Sequence, residues 1–535
     1  RERHEACVPL TPGAHVFGST TGASSAFCNP FFMLCAPDAT EFNGDAYGFN
    51  LVYSGSHMGC VEVSPWGKTR VAAGIQPEGF AWTLAPGERF ETPEAVLTFS
   101  RAGKNGMSAN LHAFVQEHIV RGKWAKKDRP VLLNNWEATY FDFDEEKLVK
   151  LIGEAKELGV DMFLLDDGWF ANKYPRNSDT QGLGDWDETS SKLPNGIGRL
   201  TEEAKKQGVK FGLWIEPEMV NPKSELYEKH KDWVITLPNR DEYYFRNQLV
   251  LDLANPKVQD YVFGVVDNLK TKYPDIAYFK WDCNSPITNI YSNYEDKEQQ
   301  KLYVDYVRGL YKVLDRIKAK YPDLPMMLCS GGGGRTDYEG LKYFTEMWPS
   351  DNTDPIERLF IQYGFSQVFP AKVQCAHVTT WNKKAPIKFR TNVAMMGKLG
   401  FDLNLHDLTA DDLAYVKQSI KEYNRLKPVI LEGDLYRLVS PYGSNHTSSM
   451  YVNKDKNQAI VFAFDVYPRY GEHILPVRLQ GLEANKMYQV KEINLMPGAS
   501  SSVNGNGQTF SGEYLMNVGL DLFTGYKLNS RIIEI

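Results

Sequence analysis

In the stretch YFKWDCN, residues 278–284, an apolar run ends abruptly in a lysine and an aspartate two positions apart, which is typical of the C-terminal end of a buried strand. Side chains alternate across a strand, so Lys280 and Asp282 are predicted to face one side and Trp281 the other. A cation beside a carboxylate at the C-terminal end of a strand favours the ionised form that a nucleophile needs. A lone Lys-x-Asp pair is more often a structural ion pair, so the chemical interpretation depends on its surroundings.

Apolar runs like this one recur from residue 131 onward and alternate with helix-period stretches. The runs lie at 131–133, 162–165, 211–215, 277–279, 326–328, 373–378 and 401–405, and the helical stretches at 145–158, 200–207, 258–272, 301–320 and 410–426. Such alternation is typical of parallel βαβ units, and about eight units over roughly 300 residues is the size of a TIM barrel. A doubly wound open sheet is the alternative, but no GxGxxG opens a helix after the first run, and GGGG at 331–334 lacks the Lys-Ser/Thr of a phosphate loop.

Short strands are predicted on both sides of the barrel. Runs at 47–53, 61–63 and 95–99, separated by Gly, Pro and Ser, indicate a β-rich start, and the charged segment 121–130 is typical of a linker. Runs at 435–439, 449–452, 459–464 and 488–493 predict a small all-β domain at the other end. The predicted fold class is α/β. A (β/α)8 barrel over 126–430 lies between an N-terminal β-sandwich over 1–125 and a C-terminal β-sandwich over 431–535.

Composition excludes several classes of partner. The net charge of −7 on 535 residues gives no electrostatic reason to expect nucleic acid or an anionic membrane. No apolar run reaches the roughly 18 residues of a membrane span. The seven cysteines show neither CxxC nor a metal-ligand spacing, and His377 and His406, the barrel candidates for a metal ligand, form no HxH or HExxH. We therefore expect free thiols in a reducing compartment, taken as the cytoplasm, with no metal and no cofactor.

Polar and aromatic residues gather where the predicted barrel strands end, which is where barrel enzymes carry their active sites. The positions are Asn134-Asn135-Trp136, Asp166-Asp167, WIEPE at 214–218, Lys280-Trp281-Asp282, Cys329-Ser330-Gly331 and SDNTD at 350–354. Taken singly, each has a plainer interpretation: a solvated aspartate pair, a buried thiol, or, for Glu216 and Glu218, a supporting salt bridge. Together they predict one acidic, aromatic pocket.

Six motifs in sequence order carry a family resemblance. LDDGWF, FGLWIEPEMV, RNQLVLD, FKWDCN, CSGGGGRTD and WPSDNTD resemble those of the retaining α-galactosidases of glycoside hydrolase family 36. The resemblance implies a TIM barrel between an N-terminal β-supersandwich and a C-terminal β-sandwich. It implies that Asp282 is the nucleophile and Asp351 the acid/base. It also implies a galactose subsite lined by Asp166, Asp167, Trp214, Arg246 and Lys280, with Trp136, Cys329 and Gly331 as further sugar contacts.

The implied reaction agrees with the chemistry of these side chains. Retaining hydrolysis needs one ionised and one protonated carboxyl about 5–5.5 Å apart. Lys280 favours the charged form of Asp282, and that charge raises the pKa of Asp351 so that it can protonate the leaving oxygen. Once Asp282 is esterified its charge is gone, and Asp351 can then deprotonate the incoming water.

The resemblance also carries expectations about substrate and assembly. It implies an α-galactoside oligosaccharide of the melibiose or raffinose type as substrate and a homo-oligomer, of which the tetramer is the family form. Because only about 125 residues precede the barrel, we expect the first part of the supersandwich to be missing. Small residues at 329–332 leave an α-N-acetylgalactosaminidase or a galactosyl-transferring enzyme open. A non-catalytic galactoside-binding protein is the alternative from another class, and the presence of both aspartates argues against it.

Overall fold

Two small antiparallel sheets begin the chain, of which the computed structural model describes residues 5–295 and 297–535. The strands are β1 (Gly13–Ser19), β2 (Phe31–Cys35), β3 (Ala46–Val52), β4 (His57–Val63), β5 (Thr69–Ile75) and β6 (Glu94–Ser100). They pair in the orders β1-β4-β5 and β2-β3-β6. Helix α1 (Gly103–Phe114) follows, where only β structure was predicted. Its sequence is rich in Gly, Asn and Ser, so its few apolar residues, Met107 and Leu111 among them, gave no visible helical period.

The middle of the chain forms a parallel barrel. Its segment holds β7 (Leu132–Asn134), β8 (Met162–Leu165), β9 (Lys210–Ile215), β10 (Met219–Val220), β11 (Leu249–Val250), β12 (Ile276–Trp281), β13 (Met326–Leu328), β14 (Glu346–Met347), β15 (Cys375–Thr379) and β16 (Lys398–Asp402). Strands β10 and β11 form a separate antiparallel pair, and the other eight run in the order β14-β13-β12-β9-β8-β7-β16-β15. One bridge between Met347 and Gln374 joins the two edge strands, so the barrel is nearly closed. The predicted barrel is confirmed.

Helices cover the outside of the barrel. They are α2 (Trp136–Thr139), α3 (Glu145–Leu158), α4 (Gly196–Gln207), α5 (Glu225–Lys229), α6 (Pro256–Lys272), α7 (Leu302–Lys320), α8 (Tyr338–Leu341), α9 (Pro355–Phe365), α10 (Ile387–Ala394) and α11 (Ala410–Glu432). The five predicted helical stretches are confirmed as α3, α4, α6, α7 and α11, with ends that differ by a few residues. No helix in the described part of the chain is long and apolar enough to cross a bilayer.

The alternation predicted for β12 orients the site. Tyr278 packs inside the barrel with Leu132, Met162, Leu164, Met327 and Cys375, whereas Phe279 and Trp281 belong to the layer between strands and helices. Lys280 shares the inward side with Tyr278, one step nearer the C-terminal edge. The strand therefore delivers Lys280 into the barrel mouth and places Asp282 directly after its last residue.

A second β domain ends the chain. Its strands are β17 (Asp434–Val439), β18 (His446–Val452), β19 (Ala459–Asp465), β20 (Met487–Gln489), β21 (Lys491–Ile493), β22 (Thr509–Ser511) and β23 (Asn529–Glu534), with α12 (Gly512–Asn517) before the last strand. Five of them form a sheet in the order β17-β18-β19-β23-β21, and β20 pairs with β22. A separate apolar core lies between the two sheets, with Met450, Val461 and Leu479 fully buried in it. This is the predicted C-terminal β-sandwich.

Candidate active site

Every predicted site residue lies at the C-terminal edge of the barrel. Trp136 begins α2 after β7, Asp166 and Asp167 follow β8, Trp214 is near the end of β9, Lys280 and Asp282 end β12, Cys329 and Gly331 follow β13, and Asp351 follows β14. Arg246 arrives from a turn just before β11. Parallel strands present these ends on one face, so residues far apart in sequence converge there.

Asp282 is held by three hydrogen bonds at the end of β12. Its oxygens accept hydrogen bonds from Trp214 Nε1 at 3.3 Å, Cys283 N at 2.8 Å and Gly331 N at 3.2 Å. Burial alone would favour the neutral acid, but Lys280 and Arg246 outweigh it and hold the pKa of Asp282 below its usual value. Asp282 is therefore ionised at neutral pH, although only 7% of its surface is exposed.

Lys280 forms its ion pair with Asp166 and not with Asp282. Its Nζ donates to Asp166 Oδ2 at 2.8 Å, and Asn134 Nδ2 donates to the same oxygen at 2.6 Å. Burial opposes the charge of Lys280, but Asp166 and Asp282 outweigh burial and raise the pKa of the lysine. The lysine thus contacts one acidic residue directly and acts on Asp282 through its field.

Arg176 forms an ion pair with Asp167, the second residue of the Asp166-Asp167 motif. The sequence analysis did not identify this arginine. Its Nε lies 3.0 Å from Asp167 Oδ1 and its Nη2 2.8 Å from Asp167 Oδ2, while Nη1 donates to Asn221 Oδ1 at 2.9 Å. Burial raises the pKa of Asp167, and Arg176 opposes that effect. The arginine follows the aspartate by nine positions in an irregular loop, where no periodicity or motif marks it.

Arg246 projects from a strained turn. Residues Arg246 and Asn247 have φ of 53° and 61°, and Gln248 N donates to Phe245 O at 3.2 Å, which is the geometry of a type I′ turn. The guanidinium donates to Asn284 Oδ1 at 2.6 Å. Burial opposes its charge, but Asp282, Glu216 and Asp351 together raise the pKa of Arg246. The cation is therefore within electrostatic reach of both candidate catalytic aspartates.

Asp351 differs from Asp282 in its surroundings. Its side chain is exposed to solvent at the barrel mouth and accepts a hydrogen bond from Trp348 Nε1 to Oδ1 at 3.1 Å. Protein crowds its other sides. This partial loss of bulk water and the charge of Asp282 raise the pKa of Asp351, against the opposing influence of Lys280 and Arg246. The two carboxyls thus have pKa values shifted in opposite directions, which is the signature of an acid and a nucleophile.

Two consecutive glycines connect these carboxyls. Gly331 donates its backbone N–H to Asp282. A Cβ on Gly332 would lie 2.7 Å from Asp351 N and 2.8 Å from Ser350 Cα, and the glycine has a φ of 82°. The backbone of residues 331–332 therefore fits between Asp282 and the loop of Asp351, where a side chain has no room.

The two glutamates of the WIEPE motif are fully buried supports, as expected. Glu218 accepts both Nη atoms of Arg335 at 2.9 and 2.7 Å and also contacts Trp281 and Tyr306. Glu216 accepts Asn284 N at 2.7 Å and Gln248 Nε2 at 3.0 Å. Burial and the charge of Asp282 raise the pKa of Glu216 to about 8.

The remaining predicted residues line the edge of the site. The Trp136 backbone N–H donates to Asn134 Oδ1 at 2.8 Å, and its ring meets Phe141 edge to face at 5.1 Å. Cys329 is buried, and its backbone N–H donates to Trp281 O at 2.8 Å. Across residues 5–295 and 297–535, no cluster of three or more His, Cys, Asp or Glu side chains is arranged to hold a metal ion.

Three family models match consecutive parts of the chain. The model described as Melibiase matches residues 89–433. The models described as the glycosyl hydrolase family 36 N-terminal and C-terminal domains match residues 1–85 and 446–535.

Individual relatives give the same result. The chain is 42% identical over 504 residues to α-galactosidase AgaA of Geobacillus stearothermophilus, covering 93% of this chain and 69% of that protein. It is 39% identical over 534 residues to α-galactosidase C of Emericella nidulans, covering 97% and 68%. The crystal structure of AgaA superposes with a TM-score of 0.93 at 40% identity over 98% of this chain and 72% of that one. Structures of AgaA variants are in complex with raffinose and with stachyose.

Proposed function

Because the chain belongs to glycoside hydrolase family 36, we propose that it is an α-galactosidase that removes terminal α-linked galactose from raffinose-type oligosaccharides with retention of configuration. The observation that carries the mechanism is the environment of Asp282. Three donors and two cations hold this carboxylate ionised at the barrel mouth. A carboxylate of that kind is suited to attack an anomeric carbon.

Asp351 is the acid/base in this proposal. Its raised pKa supports a protonated carboxyl that can donate to the glycosidic oxygen. The charge of Asp282 is one cause of that raised pKa, and the charge disappears when Asp282 forms the glycosyl ester. The pKa of Asp351 then falls, and the same group can take a proton from the attacking water.

We assign the galactose subsite to the residues around this pair. Asp166 and Asp167 each keep acceptor capacity beyond their bonds to Lys280 and Arg176. A sugar with its 4-hydroxyl in the wrong orientation would leave a buried carboxylate oxygen unpaired, at a cost of about 1–3 kcal/mol or more. Trp214 and Trp136 are aromatic walls for the apolar face of the ring, and Arg246, Lys280, Cys329 and Gly331 complete the subsite.

The test compares two aspartates at opposite ends of one strand. Asp282 follows β12, and Asp275 precedes it as an exposed residue. We expect Asp282→Gly to lower kcat on p-nitrophenyl α-galactoside by at least about 10⁴-fold and Asp275→Gly to leave it unchanged. Proton NMR of the wild-type reaction should detect α-galactose as the first product. Full activity in Asp282→Gly, or β-galactose appearing first, would remove the proposed mechanism.

An α-N-acetylgalactosaminidase is the second candidate within the same chemistry. Small residues at 329–332 line the subsite, and the galactosyl-transferring variant of the reaction uses the same pair of carboxyls. Parallel assays with α-galactoside and α-N-acetylgalactosaminide decide between these two substrates. Galactosyl transfer is measured by adding an oligosaccharide acceptor and analysing the products for the transfer product. We expect the α-galactoside to be the better substrate.

Assembly and compartment are further proposals. Exposed apolar residues of the N-terminal region, Val16 in β1, Leu97 in β6 and Phe27 between β1 and β2, support a homo-oligomer, because apolar surface often marks interfaces. Seven free cysteines support a reducing compartment, the cytoplasm. Light scattering of the purified protein measures the first. Acid quenching of cells followed by alkylation of the thiols in denaturant measures the redox state of the cysteines, and seven modified cysteines are expected.

A further inference from the structure

Arg358 lies beneath the loop that carries Asp351. It is the fourth residue of α9, and 2% of its surface is exposed. Long helical side chains lean toward the helix N-terminus, and Arg358 follows this rule. Its Nε donates to Asn352 O at 2.8 Å and its Nη2 to Ser350 O at 2.6 Å. These two carbonyls belong to the residues on either side of Asp351.

The same guanidinium also supports the ring that contacts the Asp351 carboxyl. Its Cζ lies 4.4 Å from the centroid of the Trp348 ring, and Trp348 Nε1 donates to Asp351 Oδ1 at 3.1 Å. Nη1 is 3.3 Å from Cys375 O at the start of β15. One buried side chain thus fixes the loop backbone, the tryptophan ring and the neighbouring strand relative to one another.

The Arg358 guanidinium lies near the N-terminus of α9, where a positive charge does not stabilise the helix. The N-terminus of a helix carries partial positive charge and is stabilised by anions. Asp354 already caps α9 by accepting Ile356 N at 2.8 Å. The favourable interactions of Arg358 are therefore those with the carbonyls and the indole ring of the loop, and not those with the helix. Its contacts serve the geometry of residues 348–352.

We propose that Arg358 is the positioning residue of the acid/base, holding the Asp351 carboxyl where it can reach the leaving-group oxygen. This rests on the proposed function, in which Asp351 donates that proton. A general acid acts only within hydrogen-bond reach of its target, and a misplacement of about 1 Å can lower a rate about 10²-fold. Arg358 acts through Trp348 and the loop backbone, so its loss impairs proton donation more than galactose binding.

The experiment compares two buried arginines at the two ends of α9. Arg358→Lys keeps the charge but loses the fork that reaches several acceptors. Arg437 is 1% exposed and donates to Ser366 O, at the other end of the helix, at 3.1 Å, so Arg437→Lys is the matched control. The substrates are melibiose, whose sugar leaving group needs a proton, and p-nitrophenyl α-galactoside, whose phenolate needs little assistance.

We expect Arg358→Lys to lower kcat/KM, which reports formation of the glycosyl ester, about 10²-fold on melibiose and less than about 10-fold on the aryl substrate. The later hydrolysis of the ester also uses Asp351 and is common to both substrates, so kcat alone does not separate them. Arg437→Lys should affect the two substrates alike. Asp351→Asn is measured first on the same pair. If it shows no preference for the aryl substrate, Asp351 is not the acid and both proposals fall. If Asp351→Asn shows that preference and Arg358→Lys does not, the positioning role alone is wrong.

A second variant keeps the test decisive should Arg358→Lys not fold. Trp348→Phe retains an aromatic platform for the guanidinium and removes the N–H that reaches Asp351 Oδ1. The same selective loss on melibiose is expected. Equal loss on both substrates would overturn the inference.

Discussion

Lys280 Nζ lies 2.8 Å from Asp166 Oδ2, so the cation next to the proposed nucleophile in sequence is paired with an aspartate from a different strand. The pair joins β12 to the end of β8 across the intervening strand β9. Because Lys280 is paired with Asp166, the oxygens of Asp282 accept hydrogen bonds from neutral donors. The positive charge of Lys280 still lowers the pKa of Asp282 without direct contact. An ester can therefore form on Asp282 without breaking an ion pair.

Lys280→Met should move the acid limb of kcat/KM to higher pH. Without the cation, burial dominates the pKa of Asp282, which then rises, and the nucleophile is protonated over more of the acidic range. The acid limb of kcat/KM reports this group in the free enzyme. The measurement is the pH profile of kcat/KM on p-nitrophenyl α-galactoside.

Lys372→Met is the control for that change. Lys372 is also buried and paired with a carboxylate, Glu432, but outside the site. Its loss should lower the unfolding temperature and leave the pH profile in place. An unchanged profile in Lys280→Met would show that the field of this lysine does not set the pKa of Asp282.

Arg176→Met should destabilise the protein by about 3–5 kcal/mol, because it leaves Asp167 buried without its partner. The double variant with Asp167→Asn should recover much of this loss, since no unpaired charge remains. Chemical unfolding of the four proteins measures the coupling free energy. Additive losses would mean that the ion pair contributes little. The KM for galactosides should rise in both single variants, because Asp167 loses either its position or its charge.

The sequence predicted the barrel and the edge that carries the site for a simple reason. Parallel strands that are buried on both faces have continuous apolar sequences, so they can be recognised as apolar runs. The polar residues that follow each run form recognisable motifs at the strand ends. Strand β14 was not predicted, because it has only two residues. One of them is Glu346, a buried carboxylate bonded to Lys398 inside the barrel. A two-residue strand offers no alternation to detect.

The supporting residues were beyond the reach of sequence patterns. Arg176 and Arg358 act through side chains that reach backward along the chain or across a loop, and nothing in residues 176 or 358 distinguishes them from surface arginines. The ion pair of Lys280 was also invisible, because its partner lies 114 positions away. Local spacing predicts which face a side chain takes, whereas its partner depends on the register between strands.

Glu216→Gln should flatten the pH dependence of stability on the alkaline side. The pKa of this buried acid is raised from 4.5 to about 8. Below about 4.5 the group is protonated in both states; between the two values only the unfolded chain ionises, so stability is lost as pH rises and the loss is complete above about 8. The amide has no such loss. Unfolding free energies at pH 5 and pH 8.5 should therefore differ less in Glu216→Gln than in the wild type.

Glu218→Gln provides the opposite case. Burial works against its charge, but the two bonds from Arg335 hold the pKa of Glu218 below its usual value. Its contribution to stability is present at neutral pH and lost on acidification, so the glutamine variant should be destabilised most above the normal pKa of a glutamate. Matching pH curves for the two variants would contradict both assignments.

Gly332→Ala should reduce activity through the loop of Asp351. A Cβ there would lie 2.7 Å from Asp351 N, and the glycine has a φ of 82°, so the change adds both a clash with backbone and conformational strain. Gly159→Ala separates the two effects, because Gly159 has a φ of 91° but no atom within 4 Å of the added carbon. We expect the two variants to lose comparable stability from strain, about 1 kcal/mol. Only Gly332→Ala should lose kcat on melibiose, and equal kcat values would show that the loop of Asp351 tolerates displacement.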